Sequence, residues 1–327
     1  MSSPTDRRGQ NRKRTGRRRS GETTPAGDPL VSVVICTYNR SDLLKSCLES
    51  LINQQTKERS FEVIIVDNRS VDETQEVIRK YTSGNPLFRA VIEMNQGIGH
   101  ARNRGFREAR GAYVAYLDDD AIADGRWIAV MLDFIRRHPG AAAFGGPCYD
   151  YVAGGFPEWV PPEFRKFEMD VSGGPERPIR PPGEMFGGCN MVVRKELLRE
   201  LGGFDTFVGH HGNKASYGED TEMLMRIHLK GHEIFYARDM KVKHFIPRHK
   251  LHMRQLLRSD YLKGRSIDYT LHRKVGRLRH AFRLIGSCVL GVALFFKPAP
   301  MPFKRRVYYG CRYWVYQTGA FVSAWKK

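Results

Sequence analysis

The 327-residue sequence has no CxxC pair, no uncharged apolar run long enough for a bilayer-spanning helix and, near its start, no apolar segment of the secretory kind. Its six cysteines (Cys36, Cys47, Cys148, Cys189, Cys288 and Cys311) are scattered. That pattern argues against a zinc site or disulfide framework and for reduced, mostly buried thiols in a cytosolic setting. The two longest apolar stretches, LIGSCVLGVALFF (284 to 296) and YWVYQTGAFVSAW (313 to 325), hold 13 uncharged residues each, short of the roughly 20 that a crossing helix needs. Acidic residues are scarce at both ends. Residues 1 to 29 carry 8 Lys/Arg against 3 Asp/Glu and residues 241 to 327 carry 20 against 2, so the formal charge of +19 leaves −4 for residues 30 to 240. A nucleic-acid binder gathers positive charge on its folded domain. Here that part is mildly acidic, and no nucleic acid is expected as a partner.

What is present begins at residue 30. VSVVICTYNR (31 to 40) is a β-branched run ending in a polar loop, and Leu44, Leu48 and Leu51 follow at helical spacing. FEVIIVDN (61 to 68) reads as a second buried strand, DETQEVIRKY (72 to 81) as a helix, and FRAVIE (88 to 93) as a third strand. A helix over about 100 to 110 and the strand YVAYL before DDD complete the run. Strand and helix alternating with short links predict a parallel sheet wound in the Rossmann manner. Ligands of such sheets gather at the carboxyl ends of the strands, where Thr37 to Arg40, Asp67 and Asp118 to Asp120 all fall. Residues 145 to 185, rich in Gly, Pro and aromatics, read as an irregular excursion covering the substrate. A short strand and helix (191 to 204), a helix and strand (217 to 237) and VKHF (242 to 245) close the domain. The expected organisation is a basic arm over 1 to 29, a catalytic domain over 30 to 245 and a basic, apolar helical region over 246 to 327.

Three like charges in a row ask for a cation. In an extended chain Asp118 and Asp120 face one point and Asp119 the other side, and two carboxylates suit Mg²⁺ or Mn²⁺, which leave coordination sites for water and phosphate. A solvated acidic turn is the alternative. Thr37, Tyr38 and Asn39 offer a hydroxyl, a ring and an amide for a nucleobase, against a plain turn with a packed Tyr38. Asp67 suits the imide N–H of uracil or thymine, or a helix N-cap; Arg102 suits phosphate or the strand-end carboxylates, or plain solvent. Glu219 and Asp220 open a helix, where carboxylates complement the dipole or one of them serves as a general base. His244 follows a strand and is either a third metal ligand or a structural histidine.

Taken in order, VSVVICTYNR, FEVIIVDNRSVDET, NQGIGHARNRG, YVAYLDDDA, GGCNMVVRKELLRELGGFD and YGEDTEMLMRIHLKG resemble the family 2 glycosyltransferases over roughly residues 30 to 245. The resemblance implies an α/β GT-A fold, a Rossmann-like nucleotide-binding mixed sheet flanked by helices, and inverting transfer of a sugar from a nucleotide donor. By position it implies that Thr37, Tyr38 and Asp67 hold the base, Asp118 the ribose side and Asp120 the metal, with His244 as a further ligand. Asp220 becomes the general base supported by Glu219, and Gly188, Cys189 and Asn190 line the sugar pocket.

The expected partners are a UDP- or dTDP-sugar, Mn²⁺ or Mg²⁺, a glycan or lipid-linked acceptor hydroxyl, and an anionic membrane face. Flanking Lys/Arg with Tyr, Trp and Phe fits an interfacial hairpin at the C-terminus, hence peripheral placement at the cytoplasmic side of a membrane, with a docked helical pair as the alternative. Two rival functions differ in chemistry. A nucleotidyltransferase would release pyrophosphate, and a non-enzymatic basic nucleic-acid or membrane binder would have no use for a strand-end carboxylate cluster.

Overall fold

A computed structural model describes residues 27–56, 58, 60–165, 175–209, 217–273, 275–296 and 301–325. Nearly all of the expected N-terminal arm lies outside them. The chain runs β1 (Val31–Thr37), α1 (Ser41–Ile52), β2 (Phe61–Asp67), α2 (Thr74–Thr82), β3 (Phe88–Ile92), α3 (Ile98–Glu108), β4 (Tyr113–Leu117), β5 (Ala121–Ala123) and α4 (Trp127–Arg137). It continues through β6 (Ala143–Gly145), β7 (Cys148–Tyr151), β8 (Arg177–Ile179), β9 (Asn190–Arg194), α5 (Lys195–Glu200), α6 (Glu219–Leu229), β10 (Ile234–Tyr236) and β11 (Val242–Phe245). Three helices follow: α7 (Met253–Thr270), α8 (Arg277–Phe296) and α9 (Phe303–Trp325).

Eight strands form one mixed sheet in the order β3-β2-β1-β4-β9-β6-β10-β8. β1, β2, β3 and β4 pair in parallel, whereas β9 runs antiparallel to both β4 and β6. Because a strand shows successive side chains to opposite faces, the apolar runs divide into two cores. Val31, Val33 and Ile35 join Leu44, Leu48 and Leu51 of α1 and Trp127 of α4 on one face. Val34, Ile64, Val114 and Tyr116 join α3, α5 and α6 on the other. Helices on both faces explain why these strands read as unbroken hydrophobic runs rather than alternating ones.

The segment read as irregular does contain regular structure. Cys148–Tyr151 and Arg177–Ile179 are strands, and β7 joins β5 and β11 in a second, three-stranded sheet ordered β5-β11-β7. Strands of three or four residues give too short a pattern to stand out from surrounding Gly and Pro, and their pairing is decided by partners far along the chain.

Beyond the domain, the helical extension is stitched by glycine. A Cβ on Gly264 would lie 2.0 Å from the Tyr316 carbonyl oxygen, one on Gly319 2.1 Å from that of Tyr261, and one on Gly291 2.2 Å from that of Gly310. Backbones therefore touch, with α9 lying along α7 on one side and α8 on the other. Pairing of Arg277 with Trp325 and of Phe295 with Phe303 makes α8 and α9 antiparallel. At 20 residues α8 is long and apolar enough to cross a bilayer by length and composition. The 13-residue count understated this because it stopped at Arg283. Its buried positions are His280, Ser287 and Gly291, whereas Leu278, Phe282, Ile285, Val289, Val292 and Phe296 are exposed.

One charged knot fixes the start of β2. The Glu62 side chain, 3 % exposed, accepts from Ser32 Oγ (2.7 Å), Arg110 N (2.8 Å) and the guanidinium groups of Arg89 (3.0 Å) and Arg110 (2.9 Å). Burial works against its charge, but these hydrogen bonds win and hold the carboxyl down at about 2. Because the folded-state value is depressed, its stabilisation is present above the unfolded value near 4.5 and lost as pH falls towards 2. Glu62→Gln should cost about 2 kcal/mol in urea unfolding at pH 7, and the gap from wild type should close progressively below about pH 4.5.

Candidate active site

The chain builds outward from β1 through β2 to β3, then returns to place β4 on the other side of β1. The carboxyl ends of β1 and β4 thus flank the switch point where open α/β sheets bind ligands. A cavity of about 410 Å³ lies there, lined by Thr37, Tyr38 and Arg40 at the end of β1, Asn68 after β2, Gly97, Ile98, Ala101 and Arg102 at the start of α3 and Asp118 to Asp120 after β4. Tyr217, Glu219, His244 and Lys250 complete the wall.

Within the acidic triplet the extended-chain parity fails. The chain turns directly after β4, with Ala121 N donating to Asp118 O at 3.0 Å. Asp119 and Asp120 therefore share one partner, Arg40, whose Nη1 lies 2.7 Å from the first and 2.9 Å from the second. Asp118 turns instead to Arg102, at 3.3 Å. Burial pushes Asp119 above the usual carboxylate range, with Arg40 only partly opposing it. Burial acts on Asp120 too, but the hydrogen bond and charge of His244, with Arg40, hold it below that range.

Arg102 is the buried centre of the site. Its side chain is 4 % exposed, sits over the rings of Tyr116 and Phe204, and reaches Glu219 at 3.0 Å as well as Asp118. Of the roles open to it, pairing with strand-end carboxylates is the one it takes. Burial opposes its charge, yet Glu219 and Asp118 outweigh that and keep it cationic. Glu219 in turn is pushed up to about 7, burial overriding the attraction of Arg102.

His244 is placed by strand register. In the small sheet it stands opposite Ala121, next to Asp120, on one side and opposite Asp150 on the other. Its Nδ1 lies 2.8 Å from Asp150 and its Nε2 3.4 Å from Asp120. Burial lowers its basicity, but hydrogen bonding to both carboxylates raises it well above the ordinary value. A ring oriented through one nitrogen by a carboxylate, as Asp150 does here, is a feature of metal-bound histidines, while the other nitrogen of His244 is turned to Asp120. Among the described residues no three His, Cys, Asp or Glu groups already converge as a ligand set. The residues present fit a hard cation that takes one or two protein ligands and completes its shell with phosphate and water.

Several expected residues act around the cavity rather than in it. Asp67 accepts from Ser70 N (2.8 Å) and Gln75 Nε2 (3.3 Å), fixing the loop after β2, while its neighbour Asn68 borders the cavity. Asn39, at φ 52°, accepts from Val71 N (2.8 Å) and donates its own N–H to Ser70 Oγ (3.0 Å), tying the first loop to the second. Asn190 accepts from Trp127 Nε1 (2.9 Å) and donates to Met240 O (2.6 Å), so its amide is consumed in the core. Cys189 is buried beside it. Of GGCN, Gly188 alone meets the site, since the register Leu117↔Asn190 brings this loop to β4 and a Cβ on Gly188 would fall 2.6 Å from Arg102 Nη2. Its N–H donates to Asp220 Oδ2 at 2.7 Å, and Asp220 Oδ1 accepts from Thr221 N at 2.7 Å. Of the adjacent acids, Glu219 lines the cavity.

Asn68, Asp150 and Lys250 went unread as site residues, and Arg40 was placed at the crevice without a role. That role could have been found, since Arg40 is a cation at the end of one central strand beside a strand ending in three acids. Asp150 could not, because its place depends on the pairing of two short strands 94 residues apart.

Comparison with known proteins agrees with this geometry. Residues 32–202 match the family described as Glycosyl transferase family 2. A glucosyl-dolichyl phosphate glucuronosyltransferase of Haloferax volcanii is 28 % identical over 243 residues, covering 72 % of this chain and 75 % of that protein. The succinoglycan biosynthesis protein ExoM of Rhizobium meliloti is 25 % identical over 82 % of this chain and 86 % of its own length. Among solved structures, a Pyrobaculum calidifontis mannosyltransferase in complex with GDP-Man and Mn²⁺ superposes with a TM-score of 0.57 at 21 % identity, over 92 % of this chain and 74 % of that one. S. aureus TarS in complex with UDP gives 0.52 at 17 % identity, over 91 % and 92 %. With the mixed sheet and the switch-point cavity, these matches establish that the chain belongs to family 2 of the glycosyltransferases and has the GT-A fold.

Proposed function

We propose that residues 30 to 245 form an inverting glycosyltransferase domain that moves a sugar from a nucleotide-sugar donor to a hydroxyl of a glycan or lipid-linked acceptor, in polysaccharide or glycoconjugate assembly. The observation that carries the reading is the juxtaposition, in one cavity, of the hydroxyl, ring and amide of Thr37, Tyr38 and Asn68 with the Asp118–Asp120 triplet and its cations. Related structures were solved with GDP-Man and Mn²⁺ and with UDP, which supports a nucleoside diphosphate in that cavity.

Asp120, with His244 adjoining, would hold the divalent cation, which when bound would supply a positive centre for the leaving diphosphate, while Asp118 stays on Arg102. Arg40 and Lys250, on the same wall, add charge to the same end. The acceptor oxygen attacks the anomeric carbon from the face opposite the diphosphate. The bond from that carbon to the phosphate oxygen breaks, its electron pair leaves with the nucleoside diphosphate, and the acceptor proton passes to Asp220. Asp220 is oriented for this by the N–H groups of Gly188 and Thr221, while Glu219 is committed to Arg102 and keeps that guanidinium in place.

The C-terminal helices are assigned to peripheral membrane association, with the exposed apolar residues of α8 as the contact. A nucleotidyltransferase is the weaker reading, because it gives no role to the acids at the start of α6.

Two outcomes are expected. UDP or GDP with Mn²⁺ should raise the melting temperature of the wild type, and Asp120→Ala should abolish that shift. A shift of equal size in the variant, or none with any nucleotide in the folded wild type, would sink the donor site. In steady-state transfer assays Asp220→Asn should lower kcat by about 10²–10⁴-fold, whereas Glu219→Gln should act mainly on KM. The reverse ranking would give the base to Glu219.

A further inference from the structure

A second and larger cavity, of about 670 Å³, lies outside the donor site between the start of α9, the start of α7 and the loop after β7. Its volume falls in the ~300–1,000 Å³ range of built ligand pockets. Apolar side chains form most of its wall, among them Trp159, Met253, Phe303 and Val307. Three basic side chains, Arg248, His252 and Lys304, face the same space, and none of the lining residues is acidic. That combination is complementary to an amphiphilic anion, because an apolar chain takes the wall and a phosphate takes the cations.

The wall is fixed by the protein itself. Arg305 in α9 donates to the carbonyls of Glu158, Trp159 (3.1 Å) and Val160 (3.2 Å), which clamps the loop carrying Trp159 onto the helix. Beneath it Val160, Leu251, Leu256 and Tyr308 make a small separate core. Two further features give the cavity a direction. Phe303, at its mouth, packs on Phe295 of α8 with ring centroids 6.1 Å apart, and Phe296 beside it ends the exposed apolar side of that helix. At the other end, the 3₁₀ turn Arg248–Leu251 is a partition shared by both cavities, with Arg248 and Leu251 facing this one and Lys250 facing the donor cavity. A 3₁₀ helix rises about 2 Å per residue, so the backbone positions that carry Arg248 and Lys250 stand within one turn of each other.

We infer that this cavity binds the phosphate of a membrane lipid that carries the acceptor, its chain entering past Phe303 from the exposed side of α8 and its head resting on Arg248 and Lys304. The inference rests on the glycosyl-transfer reading for its purpose, since the shared turn then delivers the acceptor to the donor cavity.

The probe is dodecyl phosphate below its micelle-forming concentration, titrated by calorimetry into the full chain beside inorganic phosphate and dodecyl maltoside. Saturable binding of dodecyl phosphate alone is expected, weakened at least tenfold in Arg248→Ala/Lys304→Ala and in the single exposed-site variant Lys304→Glu, with the affinity for UDP or GDP unchanged in each. Unchanged nucleotide affinity also reports that the variants fold. Equal binding of inorganic phosphate would mean a free-anion site, equal binding of dodecyl maltoside an unselective groove, and undiminished binding in both variants a different location; each overturns the inference. Loss of lipid-phosphate binding with nucleotide binding intact leaves the glycosyl-transfer reading standing. Selective lipid-phosphate binding in a protein that takes no nucleotide would support the cavity and remove the donor site instead.

Discussion

The site depends on one guanidinium that cannot reach bulk water. Arg102 projects from α3 beneath the switch point, between two aromatic rings and two carboxylates. A buried cation of this kind is tolerable only while its partners stay in place, and removing one partner of such a pair costs about 3–5 kcal/mol. Asp118 at the end of β4 and Glu219 at the start of α6 are separated by about a hundred residues of chain, yet both are anchored to the same atom group. Gly188 is part of the same constraint, since no side chain fits between its Cα and Arg102. The loop, the strand end and the helix start are thereby held in one arrangement before any ligand arrives.

Charge in the cavity is largely balanced from within. Arg40 answers Asp119 and Asp120, Arg102 answers Asp118 and Glu219, and His244 sits between Asp120 and Asp150. The triplet, a repulsive cluster when seen as sequence, is thus balanced by the protein's own cations. Under the proposed function, binding of a metal and an anionic donor would be an exchange of partners, in which the cation competes with Arg40 for Asp120 and leaves that guanidinium free to meet phosphate.

Local pattern carried most of the fold. The runs VSVVICT, FEVIIVD and YVAYL are long, buried on both faces and bounded by polar loops, so strand identity and the location of the crevice could be read without the structure. Individual roles were harder, because they depend on what a side chain meets. Asn190 looked like a pocket residue and is a core brace, since its neighbours Trp127 and Met240 lie 63 and 50 positions away. Asp118 and Asp120 were assigned a common direction on strand geometry, and a single turn hydrogen bond at Ala121 removed it. The short strands β7 and β8 were unreadable for the same reason: a three- or four-residue strand is defined by its partners.

The glycine contacts of the helical extension carry a mechanical consequence. Where two helices meet backbone to backbone, neither can rotate or slide without collision, so α7, α8 and α9 behave as one plate. Arg305 bolts that plate to the catalytic domain through the carbonyls of residues 158 to 160. Any surface that seats the outer side of α8 therefore also sets the tilt of the whole enzyme, and with it the direction in which the switch-point cavity opens.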